Sequence, residues 1–66
     1  MDIILNGESQ RLPEPVTVAA LLEARGLAGK RLAVERNGEI VTRSRHAETL
    51  LAEGDRIEIV IAVGGG

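Results

Sequence analysis

Cysteine, phenylalanine, tyrosine and tryptophan are all missing from this chain. Without cysteine there is no disulfide framework, no thiolate metal site and no thiol nucleophile, which suits a reducing compartment. Without aromatic rings the stacking platforms that grip single-stranded nucleic acid are gone. The basic residues are scattered and the net charge is −2, so the chain carries no basic footprint for nucleic acid. No apolar run is long enough to cross a bilayer, and no signal-peptide pattern opens the sequence. The expectation is a soluble, cytoplasmic protein, monomeric when free, that engages neither nucleic acid nor membrane.

Catalytic groups are equally scarce. Lys30 is the only lysine and His46 the only histidine; both read as solvated loop residues. The carboxylates lack the paired spacing of general acid/base work. Glycines 26, 29 and 38 are turn residues, since no helix follows them as a phosphate loop requires. The chain is therefore not expected to be an enzyme, to bind a metal or to hold a cofactor.

What remains is a small aliphatic domain. At 66 residues it is near the lower limit for folding without staples, and its core must be built from Leu, Ile, Val and Ala. Residues 2–5 read as a strand. Asn6-Gly7 supplies a hairpin turn, because a type I′ turn needs positive φ at both central positions. A return strand follows over 8–12, stopped by Pro13 and Pro15, which cannot donate to a ladder. Thr17 is placed as the N-cap of a helix over 18–25. On it Val18, Leu21 and Leu22 form one stripe that Arg25 extends, and Gly26 sits at the left-handed C-cap position.

The pattern then returns to strands. Residues 32–36 and 39–41 flank a second Asn-Gly turn at Asn37-Gly38. A helical turn over 47–51 is expected to plug Leu50 and Leu51 into the end of the core. Gly54-Asp55 turns the chain into a last strand over 56–63, rich in β-branched residues.

Strands arranged around one helix indicate an α+β layer, a mixed sheet of four to five strands with the helix across one face. A last strand that returns to the middle, parallel to the first, makes this a β-grasp arrangement. Ile57, Ile59 and Ile61 then face the helix. Ile4, Ala33, Val60 and Ala62 face away, forming a weakly apolar open face that is a candidate docking surface.

The sequence ends Val63-Gly64-Gly65-Gly66. Three glycines in a row at a named position have a chance probability on the order of 10⁻⁴ to 10⁻³, so the tail is treated as meaningful. The division expected is a folded body over 1–63 and a flexible tail over 64–66. Glycine has no Cβ, so Gly64 and Gly65 suit threading into a narrow site, while Ile61, Ala62 and Val63 carry the stalk to the edge of the body. The α-carboxylate of Gly66 is ionised and unreactive at neutral pH. To carry an acyl-linked group it needs activation, most simply as an acyl-adenylate made by a partner that uses ATP. Sulfur attack then yields a thiocarboxylate, and lysine attack an isopeptide; the residues by themselves do not choose.

Several segments, taken in order, carry a resemblance: Asn6-Gly7-Glu8, Thr17-Val18 with Leu21-Leu22, Val34-Glu35-Arg36-Asn37-Gly38-Glu39-Ile40-Val41, Arg43-Ser44, Gly54-Asp55, Ile57-Glu58-Ile59-Val60 and the Ala62-Val63-Gly64-Gly65-Gly66 ending. Together they resemble the small sulfur carrier proteins of thiamine biosynthesis, a ubiquitin-like β-grasp family, over essentially the whole chain. The resemblance implies that an E1-like partner adenylates Gly66 and that sulfur from a cysteine desulfurase converts it to a thiocarboxylate. The carrier then docks on thiazole synthase and donates sulfur to the forming thiazole. One departure is Thr42, where the family commonly has proline to stiffen the loop. The alternatives are the small subunit of molybdopterin synthase, whose family tends to be longer and to contain aromatic residues, and a ubiquitin-like modifier that forms isopeptides.

Overall fold

Both Asn-Gly pairs fold as their sequence demands. Asn6 and Gly7 have φ of 49° and 83°, and Asn37 and Gly38 have 52° and 87°, the left-handed pair that closes a two-residue hairpin. In the computed structural model, which describes residues 1–62, the first turn joins β1 (Asp2–Leu5) to β2 (Glu8–Arg11). The second joins β3 (Leu32–Arg36) to β4 (Glu39–Val41). The last strand, β5 (Arg56–Ile61), enters between the hairpins. The sheet order is β2-β1-β5-β3-β4, with β5 parallel to β1 and antiparallel to β3. This is the β-grasp sheet that the strand pattern predicts, with five strands of the four to five expected.

The helix α1 (Val18–Ala24) crosses one face. Thr17 caps it, its hydroxyl accepting from the Ala20 N–H at 3.1 Å. The helix ends one residue earlier than expected, at a tight C-terminal motif. The Gly26 N–H donates to the Glu23 carbonyl at 3.0 Å and the Leu27 N–H to the Leu22 carbonyl at 2.8 Å, while Gly26 adopts a φ of 72°. This pair of bonds satisfies carbonyls a helix end would leave open and brings Leu27 back towards Leu22. Leu27, packed against the core, therefore takes the place expected of Arg25, which is exposed.

The core is aliphatic, as composition requires. Ile3 and Leu5 of β1, Val18, Leu21 and Leu22 of α1, Val34 of β3, Leu51, and Ile57 and Ile59 of β5 are buried together. Burial follows alternation on β5 until the helix no longer covers the sheet. Ile61, expected inside, is 43% exposed.

The connection from β4 to β5 departs most from expectation. A 3₁₀ turn forms over Arg43–Arg45, nearer the N-terminus than the turn expected over 47–51. Leu51 is buried, but Leu50 is 57% exposed. Leu50 forms an isolated antiparallel bridge with Thr17, and in extended backbone neighbouring side chains point to opposite sides. His46, expected in solvent, is buried. Its Nε2 donates to the Val41 carbonyl at 3.0 Å, and its own carbonyl accepts from the Ala19 N–H at 3.0 Å, so it joins the end of β4 to the first turn of α1. Thr42 has φ −68° and ψ 155°, close to the φ that a proline ring imposes. The loop keeps that course without proline.

Candidate functional site

The candidate site is the far end of β5, and its geometry is set at the near end. Asp55, just before the strand, is 6% exposed. One carboxylate oxygen accepts from Arg36 Nε at 2.8 Å and from the Ala52 N–H at 2.8 Å; the other accepts from Asn37 Nδ2 at 3.1 Å. Burial by itself would raise the Asp55 pKa, but these bonds outweigh it and hold the carboxyl below its ordinary range.

The hairpin asparagines also serve β5 directly. The Asn37 side-chain oxygen accepts from the Arg56 N–H at 2.9 Å and that of Asn6 from the Ile59 N–H at 2.7 Å. β1 is short and pairs with β5 only at Ile4↔Arg56 and Leu5↔Ile57, so the Ile59 N–H lies beyond the last strand pair and Asn6 satisfies it. The Asn-Gly pattern marks both asparagines as turn residues and carries no sign of these bonds. Their signal was weak: Asn tolerates positive φ, but so does Gly, and only a side-chain amide can also accept from β5.

Past residue 59, β5 is paired on one side only. Ala33↔Val60 and Leu32↔Ile61 continue the β3 ladder, and the Ala62 N–H donates to the Arg31 carbonyl at 2.9 Å. Among the described residues no strand pairs with 59–61 on the β1 side. Ala62 is exposed and follows the end of β5 at Ile61. Val63, Gly64, Gly65 and Gly66, named from the sequence as threading and reacting residues, lie outside the described residues.

The open face divides into separate patches. Val60 is 65% exposed and Ile4 37%, so both are accessible, as expected. They are not neighbours, however. Ile4 stands opposite Arg56, Val60 opposite Ala33, and Glu58 projects between them on the same face of β5, itself opposite Glu35. The apolar surface at the exit is thus Val60 with Ala33 and Ala62. Ile40, 62% exposed and opposite Glu35, is a further apolar residue of this face that sequence reading omitted. Its place two residues after the Asn37-Gly38 turn, opposite Glu35, was the available signal. Among the described residues no group of three His, Asp or Glu side chains is placed to hold a metal ion.

Residues 3–66 match the sequence model of the ThiS family. A sulfur carrier protein ThiS of Bacillus subtilis is 41% identical over 63 residues, covering 94% of this chain and 96% of that protein. The chain belongs to the ThiS family. The crystal structure of a thiamine biosynthesis protein (ThiS) from Geobacter metallireducens superposes with a TM-score of 0.85 at 32% identity, each chain covered completely. A thiazole synthase of Paramagnetospirillum magneticum is 42% identical over 66 residues, which is all of this chain but 20% of that protein. The ThiS-family chain thus spans about a fifth of the length of that relative.

Proposed function

We propose that this chain is a sulfur carrier for thiazole formation in thiamine biosynthesis, with the carboxyl group of Gly66 as its working group. Membership of the ThiS family, with the match running through residue 66, is the observation that carries this reading. The geometry supports it: β5 is fixed at its start by Asp55 and the two asparagines, and at its end Ala62 is exposed. The chain is a substrate of its partner enzymes, and it binds no cofactor of its own.

In this mechanism an E1-like partner binds ATP, and the Gly66 carboxylate attacks the α-phosphorus, expelling pyrophosphate. A sulfur nucleophile supplied through a cysteine desulfurase attacks the acyl carbon and displaces AMP. Where that nucleophile is a persulfide, a thiol reductant then cleaves the S–S bond and leaves the thiocarboxylate. Docking on thiazole synthase follows, and the thiazole synthase relative, which contains a segment like this chain, supports that partner. Gly64 and Gly65 thread the terminus into each enzyme; Val63, Ala62, Val60 and Ile4 contact it.

The test is an intact-protein mass spectrum of material from thiamine-starved cells. The expected result is a mass increase equal to replacing one oxygen by one sulfur, mapped to Gly66. Adducts linked through Gly66 to lysines, with no sulfur-bearing form, would replace the carrier reading with a protein modifier. Deleting Gly66 is expected to leave the melting temperature unchanged and to abolish ATP–pyrophosphate exchange by the adenylating partner.

A further inference from the structure

Beside the exit of β5 lies an open cleft of about 330 Å³ that the sulfur-carrier reading leaves unused. The C-terminal motif of α1 builds one wall by folding Leu27 back towards Leu22, and Leu32 at the start of β3 supplies another. Lys30 and Arg43 stand at its rim. Arg43 is fixed there, its Nη2 donating to the Lys30 carbonyl at 3.1 Å. Neither cation forms an ion pair with a carboxylate among the described residues.

Charge and position both argue for a macromolecular occupant. The whole chain has a net charge of −2, yet residues 24–34 contain Arg25, Lys30 and Arg31 and no acidic residue. The residues that line the cleft likewise include the two cations Lys30 and Arg43 and no carboxylate, an arrangement that attracts an acidic surface. Leu32 is paired in register with Ile61 and Arg31 with Ala62 through its carbonyl, so the cleft lies one strand away from the end of β5. A partner that engages the end of β5 therefore lies within one strand of this cleft.

We propose that the cleft receives an aliphatic side chain, flanked by acidic residues, from the adenylating partner. The aliphatic group fills the Leu22–Leu27–Leu32 walls, and the flanking carboxylates pair with Lys30 and Arg43. This rests on the reading given under Proposed function and adds to it a second contact, separate from the tail and from the open face around Val60.

The experiment is ATP–pyrophosphate exchange by the adenylating enzyme of the same organism, measured against carrier concentration at several sodium chloride concentrations. Lys30→Glu with Arg43→Glu inverts the rim, and Ala28→Trp fills the cleft. Lys30→Glu alone is paired with Arg11→Glu, which changes the net charge equally on β2, at the far edge of the sheet. The double reversal is expected to raise the KM for carrier by about tenfold, with kcat and melting temperature unchanged and with the salt dependence of KM flattened. Ala28→Trp raises KM at every salt concentration, and Lys30→Glu raises it more than Arg11→Glu. An unchanged KM in the rim and cleft variants, or an equal rise with Arg11→Glu, overturns the docking cleft while leaving the carrier reading intact. Absence of exchange with the unaltered chain overturns the carrier reading and the cleft together.

Discussion

At the start of β5 a buried carboxylate accepts hydrogen bonds from a guanidinium, an amide side chain and a backbone N–H; at its other end Val60 and Ile61 stand 65% and 43% exposed. The start has neighbours on both sides, β1 and β3. Among the described residues the exit has β3 alone, and the Asn6 side chain, bonded to the Ile59 N–H, marks the end of the contact on the β1 side. One strand is thus held firmly at one end and left accessible at the other. That asymmetry divides one strand in two: the polar bonds that fix direction sit where the strand begins, and the accessible apolar surface sits where it ends.

The comparison is broken most strongly at Asp55. Asp55→Ala leaves Arg36, Asn37 and the Ala52 N–H without their acceptor. Arg36 is half-exposed and regains water, so the expected loss is about 2–3 kcal/mol, read from urea unfolding. For 66 residues that is a large part of the roughly 3–10 kcal/mol available. The same carboxyl sets an acid limit. Its folded pKa lies below the unfolded value, so its stabilisation is present above the unfolded value of about 3.9 and is lost as pH falls through the folded one. Melting temperature is expected to drop below about pH 4, and less steeply in Asp55→Asn. A parallel drop in that variant would assign the acid limit to other carboxylates.

A smaller effect is expected at Asn6. Asn6→Gly keeps the positive φ of 49° accessible but removes the acceptor of the Ile59 N–H, costing about 1 kcal/mol. Asn6→Ala adds backbone strain and costs about 1 kcal/mol more. Equal stability of the Gly variant and the wild type, by thermal unfolding, would reduce Asn6 to a turn residue. The smallest effect on stability is expected at the exit. Val60→Asp changes it by no more than about 0.5 kcal/mol, as at other exposed positions, while weakening capture by the partner in a pull-down. A large fall in melting temperature would instead place Val60 in the core.

Much of this was legible from local pattern. The Asn-Gly pairs, the Thr17 cap, Gly26 and the β-branched last strand each carry a strong one-residue or two-residue signal, and the parallel placement of β5 followed from a single helix with two hairpins. The segment between β4 and β5 was not legible. Its apolar residues have no clean period, and whether His46, Leu50 or Leu51 is buried depends on where the Thr17↔Leu50 bridge forms. The open face was half legible: alternation gave the outward side of each strand, but register alone shows that Glu58 separates Ile4 from Val60.

The sequence by itself determined the aliphatic core, the order of elements, the turns and the glycine-rich ending, because each rests on the intrinsic conformational preference or polarity of neighbouring residues. Only the tertiary structure decided that Asn6 and Asn37 accept from β5, that Asp55 is buried against Arg36, and that Leu22, Leu27 and Leu32 frame a cleft beside the exit. Those arrangements join residues far apart in the chain, and a hydrogen bond between them exists only once the sheet has fixed their distance and direction.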